Sequence, residues 1–176
     1  LRISSSFGCA ATWSFCTDKI ITTGGEGGMI CTNDNFLNKK ICQMRNHGRK
    51  KCAINLKNED KNFKWLVDSF GTNARMTEMQ SAIGLIQLRN LDKMIKKRAA
   101  NSKQILDTAS QFPIFRIPLI PPYANSSWYR CKFYFNSKAN SKLSRDKIVE
   151  KFWSKGVPCF SGACPEIYRE RAFKEY

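Results

Sequence analysis

Two short apolar stretches near the start of the chain, "AATWSF" (Ala10–Phe15) and "GMICTN" (Gly28–Asn33), each predict a strand. Asn33 or Asp34 is placed to cap a helix through "FLNKKICQMRN", and Gly48 is placed to end it. Residues 49–70 are polar and lysine-rich without clear periodicity, and a loop of that length in a compact domain is usually functional or mobile. The strongest helical signal follows. Met79, Ile83 and Ile86, then Met94 and Ile95, recur at helical intervals; Thr77 and Gln80 have capping-box spacing, and a break is expected near Asn90. The prolines of "QFPIFRIPLIPP" end the helical region. "SWYRCKFYFN" reads as a strand, with Trp128, Arg130, Lys132 and Tyr134 on one face and Tyr129, Cys131, Phe133 and Phe135 on the other. Ser144 caps a further expected helix through Phe152 that stops at Gly156, and the tail reads as strand and loop.

This alternation fits an α/β layer protein with a second α+β unit from about residue 115. Trp13 and Phe15 are expected core residues, and Met76 and Met79 an expected packing pair on a helix face. No internal repeat or low-complexity segment is visible.

An apolar content of 42% is enough for a packed core. No apolar run approaches the roughly 18 residues of a membrane span, and no secretory leader pattern is visible. The eight cysteines contain no C-x-x-C pair and the chain has one histidine, so zinc-type spacing is absent and no metal is expected. The cysteines, Cys159 and Cys164 in the tail included, read as reduced thiols of a cytoplasmic protein. Thirty Lys and Arg against 14 Asp and Glu give a net charge of +16. The basic residues are scattered, and no helix-turn-helix, zinc-finger or RNA-binding signature accompanies them; no specific nucleic-acid partner is expected.

The candidate chemistry lies in "SFCTDKIITTGGEGGMICTND", Ser14 to Asp34. Lys19 follows an apolar strand and precedes a glycine cluster. Near a cation or in a partly dry pocket, such a lysine can attack a carbonyl and form a Schiff base. The glycines at 24, 25, 27 and 28 permit positive φ and close approach of backbone to a ligand. Ser14 offers a hydroxyl to a phosphate. There is no G-x-x-x-x-G-K-[ST] phosphate loop.

This segment closely resembles the active-site segment of DegT-type sugar aminotransferases, which depend on pyridoxal 5'-phosphate. The likeness continues in register through "RNHG" (Arg45–Gly48), "FGTNARMTEMQSAIGLIQL" (Phe70–Leu88), "RAANSKQIL" and "GVPCFSGACPEIYRERAF". It implies that Lys19 carries the cofactor as a Schiff base and shuttles the reaction's proton. It also implies that Ser14 binds the cofactor phosphate and that Asn73 reaches the phosphate held by the neighbouring subunit of a homodimer. The implied fold is part of a three-layer αβα large domain with a mostly parallel sheet (residues 1–114), followed by an incomplete small α+β C-terminal domain (residues 115–176). The implied reaction moves an amino group from glutamate to a nucleotide-linked keto-sugar, for cell-surface glycan or lipopolysaccharide biosynthesis. A relative that runs a dehydration has histidine at the Schiff-base position, and Lys19 argues against that chemistry.

The family's aspartate for the pyridine nitrogen, its ring-stacking aromatic and its phosphate loop precede this segment, whereas 13 residues precede Ser14 here. The chain therefore reads as the C-terminal half of a longer enzyme, inactive by itself. His47 is a candidate substrate or partner contact, or a helix-end residue bonding the last carbonyls. Arg75 is a candidate for a substrate phosphate, or for an interface salt bridge. Glu26 is read as fixing the glycine turn. The alternative to an enzyme is a non-catalytic basic protein binding an anionic partner.

Overall fold

The computed structural model describes residues 7–49, 67–139, 143–162 and 166–174. They fall into two units: Leu1–Ala99 with Pro121–Tyr129, and Ala100–Ile120 with Arg130–Tyr176.

The first unit opens with an antiparallel hairpin of β1 (Ala10–Ser14) and β2 (Gly28–Thr32), in register from Ala10 opposite Thr32 to Ser14 opposite Gly28. Both elements stand where the apolar runs predict them. The pairing joins strands only 13 residues apart, a separation too short for the helical crossover a parallel pair usually needs. Helix α1 (Asn35–Arg45) begins at Asp34, whose carboxylate accepts from the amides of Phe36 (2.8 Å) and Leu37 (3.0 Å). Its end is closed by Gly48, at φ +75°, whose amide donates to the Gln43 carbonyl at 2.8 Å. The same end is stitched to residues 67–74. Thr72 N donates to Met44 O (2.8 Å), Ala74 N to Arg45 O (3.0 Å), His47 N to Thr72 O (3.1 Å) and Asp68 N to Gly48 O (3.2 Å). Most of the polar loop read at 49–70 lies outside the described residues.

Helix α2 (Glu78–Arg89) starts in a complete capping box. Gln80 N donates to Thr77 Oγ1 (3.3 Å), and Thr77 N donates to Gln80 Oε1 (3.0 Å). It stops at Asn90, and α3 (Leu91–Ser110) follows at once, so the expected break is present.

The second unit contains the last turns of α3, with Ser102, Leu106 and Ala109 buried, and a two-residue ladder of β3 (Phe115–Arg116) with β4 (Tyr134–Phe135). Phe115 meets Phe133 edge to face at 4.9 Å, and Arg116 stacks over Tyr134 at 4.1 Å. Helix α4 (Arg145–Ser154) is capped by Ser144 and closed at Gly156, φ +74°, as expected.

Three expectations change. The strand read over 127–136 survives only as Tyr134–Phe135. Trp128 sits at φ 52°, outside the extended region, and Pro113 and Pro118 flank the partner strand without amide hydrogens for a longer ladder. In the tail, the described residues form two 3₁₀ turns, Ile167–Arg169 and Arg171–Phe173, in place of a strand. Core placement is also thinner than expected. Trp13 and Phe15 are half-buried and Met79 is 78% exposed; Leu106 and Ala109 are the buried apolar side chains among the described residues.

Candidate active site

The hairpin fixes the entry to the Lys19 turn. Phe15 N donates to Gly27 O at 2.7 Å and Thr23 N to Phe15 O at 3.2 Å, which draws residues 15–27 into a closed loop. Thr23 is fully buried beneath it, and its hydroxyl donates to the Glu26 carbonyl at 3.3 Å. The glycines divide the work. Gly24 and Gly25 take positive φ, whereas a Cβ on Gly27 would lie 2.3 Å from Thr23 Oγ1. From across the unit, Gln80 Nε2 donates to Glu26 O at 2.9 Å. Glu26 thus fixes the turn through its backbone carbonyl.

Lys19 stands in this loop with its side chain one-third exposed. Its Nζ donates to Tyr129 Oη at 3.2 Å and to Asp18 Oδ1 at 3.4 Å, and lies 4.7 Å from the centre of the Tyr129 ring. The Tyr129 hydroxyl donates to Asp18 Oδ2, and the Cys16 thiol donates to Asp18 Oδ1 at 2.9 Å. Ammonium, phenol and carboxylate form a closed triangle. The thiol of Cys16, then the hydroxyl of Tyr129, hold the Asp18 carboxyl well below the usual carboxylate range, with Lys19 adding to the effect. The Tyr129 hydroxyl, then Asp18, push Lys19 upward against an opposing contribution from burial. The groups that accept hydrogen bonds from Lys19 Nζ are a carboxylate and a phenol, and they stabilise its charged form.

Tyr129 is held from behind. The Arg98 guanidinium donates to the carbonyls of Trp128 and Tyr129, each at 3.3 Å, beside the positive φ of Trp128. Asp18 and Tyr129 were not legible as site residues. Asp18 adjoins Lys19 in sequence, but Tyr129 is 110 residues away on a segment that reads as a strand.

Ser14 lies at the end of β1, and its Oγ accepts from Cys16 N at 3.4 Å, so its O–H hydrogen remains able to donate elsewhere. The other sequence-predicted residues form a second group where the end of α1 meets residues 72–76. Asn73 Oδ1 accepts from Arg75 N at 3.4 Å, Arg75 Nη1 donates to Asn46 Oδ1, and Asn46 and Asn73 form a bridge. Arg75 also lines a recess between Glu26–Gly28 and Ala74–Met76. His47 is exposed at φ 56°, and the α1 carbonyls at this end are met by backbone amides. No group of three or more metal-ligating side chains occurs among the described residues, and none of their helices is long and apolar enough to cross a membrane. Their six cysteines are free thiols; Cys52 and Cys164 lie outside them.

The model of the DegT/DnrJ/EryC1/StrS aminotransferase family matches residues 2–174. A spore coat polysaccharide biosynthesis protein of Bacillus subtilis is 33% identical over 128 residues, covering 73% of this chain and 33% of that protein. The GDP-perosamine synthase of Caulobacter vibrioides is 43% identical over 95 residues, covering 54% of this chain and 23% of that protein. Among solved structures, an aminotransferase from Psychrobacter cryohalolentis superposes with a TM-score of 0.89 at 39% identity, over 98% of this chain and 46% of its own. The GDP-4-keto-6-deoxy-D-mannose-3-dehydratase of E. coli, with bound hydrated pyridoxal phosphate, gives 0.72 at 27% identity, over 88% of this chain and 40% of its own. The chain spans less than half the length of each of these proteins.

Proposed function

This chain belongs to the DegT/DnrJ/EryC1/StrS aminotransferase family, and we propose that it supplies the lysine side of a pyridoxal phosphate site that transfers an amino group from glutamate to a nucleotide-linked keto-sugar. The observation that carries this reading is the presentation of Lys19, an accessible primary amine on a loop closed by backbone bonds at both ends.

The donor chemistry fits the cofactor. An aldehyde bearing a phosphate needs an amine to hold it covalently and hydrogen-bond donors for its anionic end. Lys19 offers the amine, and the Ser14 hydroxyl has a hydrogen to donate. When bound, pyridoxal phosphate supplies an electron sink. The chain's residues do the rest. Lys19 anchors the cofactor and moves the proton at its Nζ, Ser14 binds the phosphate, and Asn73 reaches the phosphate of a neighbouring subunit in a cytoplasmic homodimer. Arg75, in its recess beside Gly27 and Gly28, is assigned to an anionic group of the nucleotide-sugar, and His47 to a substrate contact. The same reading includes the three-layer αβα large domain over 1–114, the small domain over 115–176, and a place in glycan or lipopolysaccharide biosynthesis. Transamination is preferred to the dehydration named for the E. coli relative because lysine occupies position 19.

The test is to incubate the chain with pyridoxal phosphate, reduce with borohydride and map the labelled peptide. The label is expected on Lys19, and a label confined to other lysines would refute the assignment.

A further inference from the structure

We infer that Tyr129 is a positioning residue for Lys19: its hydroxyl, anchored on Asp18, parks the lysine ammonium against the carboxylate whenever the amine is not covalently engaged. The inference rests on the reading of Lys19 as the reactive amine.

Three observations carry it. The first is the triangle itself, in which Tyr129 Oη accepts from Lys19 Nζ at 3.2 Å and donates to Asp18, so the phenol relays the pull of the carboxylate. The second is the ring, whose face lies 4.7 Å from the same ammonium. The third is the effort spent on placing Tyr129. Trp128 takes a left-handed φ of 52°, a conformation a bulky residue adopts only where its surroundings impose it. The Arg98 guanidinium fixes the two carbonyls that follow this turn. A phenol serving only as packing does not require its backbone to be clamped in that way.

Function follows from the direction of the hydrogen bonds. As an ammonium, Lys19 is a donor and not a nucleophile. A neighbour that accepts from Nζ therefore holds the proton on the lysine and delays its attack on any carbonyl. Among the described residues, the charged or titratable groups facing Nζ are Asp18, Tyr129 and the Cys16 thiol, and all three favour the charged amine. Tyr129 and Asp18 together define a resting position from which the amine must be drawn before it reacts and to which it returns when released.

Competitive trace acetylation of the full chain, without pyridoxal phosphate, tests this. Acetylated peptides are quantified by mass at a series of pH values. The exposed Lys96 and Lys97, on α3, serve as internal references. Tyr129→Phe keeps the ring and removes only the hydroxyl. Its Lys19 is expected to label about two- to fivefold faster relative to Lys96 and Lys97 near neutral pH, the range for losing one exposed charge-assisted contact. Its profile is expected to move to lower pH, a change that a packing role would not produce. Asp18→Asn leaves the tyrosine in place and is expected to act in the same direction. An unchanged Lys19 rate and profile in Tyr129→Phe, or in Asp18→Asn should the tyrosine variant fail to fold, overturns the inference. Failure of the borohydride label to appear on Lys19 overturns the functional reading instead, so the two outcomes are separable.

Discussion

Replacing Gly48 by alanine should damage the first unit far more than the same change at Gly156 damages the second. The two glycines share a left-handed conformation, φ +75° and +74°, so alanine at either meets a similar backbone penalty of about 1 kcal/mol. They differ in surroundings. A Cβ on Gly156 has no neighbour within 4 Å, whereas on Gly48 it would lie 1.5 Å from the Ser69 carbonyl oxygen and 2.6 Å from its carbon. Backbone cannot rotate out of the way as a side chain can, so residues 67–74 must withdraw from the end of α1. That withdrawal stretches the bonds from Thr72 N to Met44 O and from His47 N to Thr72 O. At about 1 kcal/mol for each bond lost, the Gly48 variant should cost about 3 kcal/mol or more. Amide hydrogen exchange measures each site locally. Thr72 and Ala74 report on Gly48→Ala, and Val157, whose amide donates to Phe152 O at 2.9 Å, reports on Gly156→Ala. Equal losses of protection at the two sites would refute the reasoning.

The Asp18–Lys19–Tyr129 triangle should be insensitive to pH between about 5 and 8. The depressed carboxyl of Asp18 contributes stability that is present above the ordinary carboxylate range and lost only as the pH falls below it. The raised Lys19 contributes stability that is present below the ordinary lysine range and lost as the pH rises through its raised value. Ring-labelled tyrosine NMR in which the Tyr129 ring signals moved between those limits would contradict this. Met79, Leu85, Ile86 and Leu88 on α2 are each more than half exposed, so the chain should self-associate, and a sedimentation profile of a single monomer would count against it. Binding to nucleic acid should be non-specific and fall with salt, and sequence-selective affinity at physiological salt would revive the reading of a basic binding protein.

What could be read from the sequence was local. Asp34, Thr77 with Gln80, Asn90 and Ser144 are capping and breaking signals that act within four residues, and each stands where it was expected. Lys19 was legible because its loop carries a recognisable run of residues. Its setting was not. The phenol that faces it arrives through a turn at Trp128 that no periodicity announces, and the charge that dominates its environment is the adjoining Asp18, which gives no sign of its direction in sequence. The α2 pattern was legible as a helix, but burial depends on what lies opposite, and several of its apolar residues are exposed among the described residues. The strand read at 127–136 shows the reverse error. Alternation suggested a ladder, and the prolines around its partner left room for two residues.

The Gln80 side chain couples two events of folding. Its Oε1 accepts from Thr77 N while its Nε2 donates to Glu26 O, so a single amide orientation satisfies both the first turn of α2 and the glycine loop 54 residues earlier. Nucleating a helix is the costly step in its formation, and the capping box is what lowers that cost. When α2 nucleates here, it sets in place a donor for the loop that carries the reactive lysine. Rotating that amide to suit one partner would turn the wrong group toward the other. Loop closure and helix initiation are therefore expected to rise and fall together along the folding coordinate, and Gln80→Glu, which keeps the acceptor and removes the donor, would uncouple their rates.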